Sequence, residues 1–252
     1  MTDETAIGGP GSKFPATRWS AIVAARSEDA AERARALETI VTAYWKPVYK
    51  YIRARWGKSN EDAKDLTQEF FARVIEKDFL GSYDPAKARL RTFLRTCVDG
   101  LVANQVKAAR RLKRGGDAPH LSLDFDAAEV ELARSRLPAP GALETIEEYF
   151  EEEWIRSVFS LAVESLRQQC EARGKELQFR LFERYDLDDS GTRPSYADLA
   201  RELGVSVSDV TNYLSFARRE FRRIALEKLR EMTATDEEFR GEARSLFGVE
   251  PE

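Results

Sequence analysis

The chain has 252 residues, of which 33% are charged and 42% hydrophobic, and its formal net charge is −4. That length supports one large or two small cored domains, and no apolar run is long enough for a segment to span a membrane. Cys97 and Cys170, both in helical patterns and far apart, read as small buried residues of a reducing cytoplasm, so no disulfide or metal pair is expected.

Strand signals are almost absent and helical periodicity dominates. The prediction is an all-α fold: two helical domains joined by an acidic linker, the second ending in a helix-turn-helix. Residues 1–16 lack a basic flank followed by an apolar core and read as a loose tail. A short helix is expected over 17–30, after Pro15. A second, over 32–56, carries Leu37, Ile40, Val41, Tyr44 and Trp45, with Pro47 expected to kink or divide it.

The third helix, 60–77, begins at Ser59 or Asn60 as a cap, with Glu61 and Asp62 at the positive end of its dipole. Ala63, Leu66, Phe70 and Val74 share an apolar face. Asp62, Asp65, Glu69, Arg73 and Glu76 share the face beside it. A row of carboxylates on a rigid helix can dock a basic partner, and it can equally be a solvated face, which spacing alone favours. A carboxylate-bound metal nuclease built on Asp62, Asp65 and Glu69 is the weaker alternative, because those groups share an open helix face with Arg73 and form no cleft.

Gly81-Ser82-Tyr83-Asp84-Pro85 leads into a fourth helix, 88–113, whose core stripe is Leu90, Leu94, Cys97 and Leu101. Its polar row is Asn104, Lys107, Arg111 and Arg114. Residues 87–114 hold nine Lys/Arg against one acid, Asp99. Positive charge near aromatic rings suits single-stranded nucleic acid, where cations track phosphates and rings stack on bases; a solvated basic helix end is the plainer alternative. Residues 117–153 reverse the sign, with eleven acids against Arg134 and Arg136. Such blocks imply separate surfaces with separate partners. Residues 115–143, with Gly115-Gly116 and Leu137-Pro138-Ala139-Pro140-Gly141, read as a linker holding at most a short helix. The single histidine, His120, lies there without metal or triad partners.

The second domain begins near Glu144, with Trp154, Val158, Leu161 and Ala162 on one face and Phe179, Phe182 and Tyr185 on the next helix. Asp186-Leu187-Asp188-Asp189-Ser190-Gly191 imitates the opening of a calcium loop, but Ala197 stands where the bidentate Glu is required. Residues 195–223 then read as a helix-turn-helix. Ser195 with Asp198, and Ser206 with Asp209, have capping-box spacing, and Gly204 sits where the chain reverses. Val210, Leu214, Ala217 and Phe221 make the apolar stripe of its second helix. Ser208, Asn212, Ser215 and Arg219 fall opposite, as a helix entering the major groove requires; an ordinary amphipathic hairpin with a solvated polar face is the plainer alternative. The tail, with Phe239 and Leu246, can form one more short helix.

These parts in this order resemble a bacterial RNA polymerase sigma factor of the extracytoplasmic-function group. The string Asp62-Ala63-Lys64-Asp65-Leu66-Thr67-Gln68-Glu69-Phe70-Phe71 is similar to that family's polymerase-binding helix. The segment 93–114 resembles its promoter-melting helix, and 195–223 its −35-reading motif. The resemblance implies a region 2 domain over 17–114, a linker over 115–143, a region 4 domain over 144–232 and an extension over 233–252. It implies docking of the β′ clamp helices by Asp62, Asp65, Gln68 and Glu69. Arg89, Arg91, Arg95, Asn104, Lys107, Arg110 and Arg111 would hold the −10 element and its melted strand. Ser208, Asn212, Ser215, Arg218, Arg219 and Arg222 would read the −35 element, with the β flap as a further partner. The linker would thread toward the polymerase's active-centre channel. No catalysis and no cofactor is implied, and the setting is cytoplasmic. An anti-sigma factor or a Ser/Thr kinase is an expected regulator, which makes Thr67 a candidate phosphosite; a boundary threonine between Ala63 and Phe71 is the plainer alternative. The rival function, a stand-alone helix-turn-helix transcriptional regulator, leaves the acidic and basic helices unexplained.

Overall fold

Side-chain caps decide where the first helices begin and end. In the computed structural model, which describes residues 20–76, 79–109, 121–134, 143–188, 191 and 193–248 (side chains at 106–109 and 143–145 excepted), helix α1 covers only Ala21–Ala24. It is shorter than the periodicity suggested because Asp29 starts a new helix. The Asp29 carboxylate accepts from the backbone N–H groups of Ala31 and Glu32 at 2.8 and 2.9 Å, satisfying donors that a helix start leaves open.

Helix α2, Ala30–Trp56, runs unbroken across Pro47. A proline inside a helix costs about 3 kcal/mol. Tyr44, Val48, Tyr49, Tyr51 and Ile52 flank it and are each no more than 1% exposed. At about 1.5–3 kcal/mol per buried large side chain, their burial outweighs the lost hydrogen bond. Gly57, at φ 56°, ends the helix in the left-handed conformation.

Helix α3, Asn60–Ile75, is capped by Ser59, whose hydroxyl accepts from the Asp62 backbone N–H. A 3-10 turn over Phe79–Ser82 leads to α4, Leu90–Ala109. The acidic segment contributes α5, Phe125–Arg134. Then come α6, Leu143–Ala172; α7, Glu176–Phe182; a π turn over Glu183–Leu187; α8, Tyr196–Leu203; α9, Val207–Glu231; and α10, Asp236–Phe247. No strand occurs among the described residues, so the fold is all-α.

The two segments expected to be separate domains pack together. Helix α6 lies along α2, and Ile146, Phe150, Trp154 and Val158 enter the same apolar cluster as Tyr44, Tyr51, Phe70, Leu94 and Val98. Leu226 and Leu229 of α9 and Ala243 of α10 belong to it as well. A second cluster joins the far half of α6 to α7 and α9 through Leu166, Cys170, Phe179, Phe182 and Ile224. A third, with Leu181, Leu199, Val210 and Leu214, holds the helix-turn-helix together.

Charge fastens α5 and α6 to α2. Lys50, 3% exposed, reaches Glu153 of α6 at 2.7 Å and Glu131 of α5 at 2.8 Å. Tyr49 donates its hydroxyl to Glu129, and Arg53 pairs with the same carboxylate at 2.9 Å. Burial pushes the Glu129 carboxyl up, but Arg53 and Tyr49 outweigh it and hold the group below the usual carboxylate range.

Candidate nucleic-acid interface and docking face

The helix-turn-helix is built from its caps. Ser195 accepts from the Asp198 N–H at 3.1 Å and starts α8. Gly204, at φ 67°, reverses the chain. Ser206 and Asp209 then form a reciprocal capping box at 3.0 and 3.1 Å and start α9. The Ser206 hydroxyl and backbone N–H hold the Asp209 carboxyl below its usual range, and Ser195 with Arg201 does the same for Asp198. With these ends fixed, Val210, Leu214 and Ala217 are fully buried, while Ser208, Asn212, Ser215, Arg219 and Arg222 form an exposed row. That row offers hydroxyls, an amide and two guanidiniums on a rigid helix, which is chemistry able to touch base edges and phosphates.

Arg218 differs from its neighbours. Its guanidinium makes a two-pronged ion pair with Asp186 at 2.8 and 2.9 Å and lies over the Tyr185 ring. Asp186 raises its pKa further above the ordinary guanidinium range. So an acid of the π turn orients an arginine of α9. Capping spacing could not reveal that role, because Asp186 and Arg218 are distant in sequence. Among the described residues no group of acids, histidines and cysteines is placed to hold a metal.

On α3, Asp62 and Asp65 are exposed. Gln68 and Glu69 already have partners. The Gln68 amide donates to the Leu121 carbonyl at 2.9 Å and accepts from the Leu121 N–H at 2.8 Å, clamping the acidic segment against α3. Glu69 accepts from Arg73 at 2.5 Å and from Gln105 of α4. Thr67 is wholly buried, and its hydroxyl donates to the Ala63 carbonyl at 2.7 Å. That corrects the candidate phosphosite: a kinase cannot reach this hydroxyl in this packing, and a packing threonine describes its environment.

On α4, the expected outward row of cations divides. Asn104 is exposed. Lys107 falls within the helix, but its side chain lies outside the described residues, as do Arg110 and Arg111. At the N-terminal end the cations meet acids from later helices. Arg91 is 5% exposed, pairs with Glu242 of α10 at 2.8 Å and Glu151 of α6 at 2.6 Å, and sits 4.6 Å over the Trp154 ring. Burial works against its charge, but Glu242 and Glu151 outweigh that and raise its pKa. Arg89 also reaches Glu242, at 2.7 Å, and Arg95 reaches Glu147 of α6 at 2.6 Å. Arg91 therefore lies inside the molecule, contrary to the sequence expectation, because a helical wheel drawn on α4 alone cannot include the acids that α6 and α10 bring. The nearby rings also face inward. Tyr83 packs on Phe93 at 5.3 Å, and Phe93 on Phe79 at 5.8 Å.

Residues 40–112 match the family described as Sigma-70 region 2, a span that takes in most of α2 and all of α3 and α4. No curated protein and no solved structure matches the chain.

Proposed function

From its region 2, which places the chain in the sigma-70 family and gives it a sigma factor's role in RNA polymerase binding and promoter recognition, we propose that it is an extracytoplasmic-function-type initiation factor with a division of labour between its helices. The observation that carries the reading is that the match covers the acidic α3 and the basic α4 together. Asp62 and Asp65 supply an exposed acidic face for the β′ clamp helices, with Gln68 and Glu69 beside it. Arg89, Arg95, Asn104, Lys107, Arg110 and Arg111 hold the −10 element and its melted strand, while Arg91, enclosed by Glu242 and Glu151, supports the helix from within. Ser208, Asn212, Ser215, Arg219 and Arg222 read the −35 element, with Arg218 presented by Asp186, and this second unit meets the β flap. The acidic segment runs toward the polymerase's active-centre channel. Cations set against phosphates fix register, and the short polar side chains of α9 carry sequence readout. The chain performs no catalysis of its own and acts in the cytoplasm.

The test is transcription from a pooled promoter library with purified core enzyme, read beside co-purification with that core. Asp62→Lys with Asp65→Lys is expected to abolish co-purification and transcription while leaving the circular dichroism unchanged, since both side chains are exposed and reversing their charge opposes a basic partner. Unchanged co-purification removes the docking role from α3.

A further inference from the structure

Helix α10 has an inner and an outer side. Glu242 and Ala243 are buried, and Phe239 and Leu246 pack against the core. Glu237, Arg240, Gly241 and Arg244 recur at helical spacing on the outer side. Together with Pro85 and Arg89, which precede α4, they wall an open cleft of about 600 Å³. Arg89, Arg240 and Arg244 bring three guanidiniums to it. Glu242 holds Arg89 at 2.7 Å, yet 52% of the Arg89 side chain stays exposed. Arg240 and Arg244 are exposed, and Arg240 makes no ion pair among the described residues.

Of the two acids at the cleft, Glu238 is engaged at the helix start. Its carboxylate accepts from the Ala234 N–H at 2.8 Å, while the Thr235 hydroxyl accepts from the Glu238 N–H at 3.1 Å. Glu237 is then the charge that opposes the three cations at the rim. Gly241 is the odd residue. Glycine weakens a helix interior, and neither packing nor backbone conformation calls for it here. It lies within regular helix, and a Cβ built on it would meet nothing within 4 Å. Its missing side chain keeps the cleft open beside Arg240 and Arg244.

We propose that this cleft is a binding site for a small polyphosphate anion, such as the diphosphate of a nucleotide. Arg240 and Arg244 of α10 hold it with Arg89, and Gly241 lets it approach the helix backbone. Guanidiniums grip phosphate oxygens through paired, charge-assisted bonds. The volume lies in the range of small-ligand sites. The phosphates of duplex DNA are the other source of the same chemistry, but they form a ridge, whereas a cleft suits an anion that enters it. The site goes beyond the sigma-factor reading: α10 lies outside region 2, and Arg240 and Arg244 have no part in promoter recognition.

The experiment titrates the full chain with inorganic pyrophosphate by isothermal calorimetry at fixed ionic strength, and in parallel with a short labelled DNA duplex. The unmodified chain is expected to bind pyrophosphate saturably, at one site. Arg240→Gln with Arg244→Gln, both exposed, should weaken that binding at least about tenfold through the lost charge-assisted bonds. Gly241→Leu keeps every charge, favours helix and fills the cleft, so it should weaken binding as much while circular dichroism stays unchanged. Duplex binding should be the same in both variants. No saturable pyrophosphate binding by the unmodified chain overturns the site, as does undiminished binding by either variant. Weaker duplex binding in both variants, without pyrophosphate binding, also overturns it and gives these cations to the DNA backbone.

Discussion

Thr67 shows how one atom's surroundings change a functional reading. Its spacing puts it at the edge of the apolar arc of α3, where a hydroxyl could face either way. In the fold it faces in, wholly buried and bonded to the Ala63 carbonyl. Two substitutions separate the alternatives. Thr67→Val keeps the shape and removes one modest hydrogen bond, so urea unfolding should shift by no more than about 1 kcal/mol. Thr67→Glu places an unpaired charge where no water reaches, and circular dichroism should show loss of the fold. A well-folded Thr67→Glu protein would mean that the site opens readily. Lys50 teaches the same lesson with the opposite sign. A lysine in an apolar stretch of α2 looks misplaced until Glu153 and Glu131 arrive from α6 and α5.

At the scale of the element, the helix-turn-helix is the most self-sufficient part. Both caps, the left-handed Gly204 and the apolar stripe are local, and each pulls the chain toward the same turn. Its exposed row therefore coincides with the row that the sequence separates from the core. Arg219, exposed on α9 beside Phe216, should lose about 1–3 kcal/mol of promoter binding on mutation to alanine if it contacts a base. A footprint of the holoenzyme at fixed salt measures this, and no change would remove Arg219 from the reading surface. Helix α4 is the contrary case. Its charges were evident in the sequence, but their direction was not, since Glu147, Glu151 and Glu242 reach it only through the packing of α6 and α10.

Among the described residues, the largest apolar cluster draws on both the early and the later helices. Tyr44 and Tyr51 of α2 pack against Trp154 and Phe150 of α6, and Leu229 and Ala243 close the same cluster. A core that draws on both segments should unfold as a unit. Tryptophan fluorescence of a variant that keeps only Trp154, buried at the α2–α6 contact, should lose its native signal at the same urea concentration as helical circular dichroism. Two resolved transitions would show that region 2 and the later helices are held by separate cores.

The amino-acid sequence by itself determined the all-α class, the capped helix-turn-helix, the acidic α3 and the basic α4, because periodicity, caps and charge runs act over a few neighbouring residues. It did not determine that α2 runs through Pro47, that Thr67 and Arg91 are buried, that Asp186 serves Arg218, or that acids beyond the linker cover the cations before it. Those outcomes depend on how the helices pack against one another, which brings together side chains that lie far apart along the chain. Where the pairing is buried, as for Arg91 with Glu242, the lower local dielectric strengthens it.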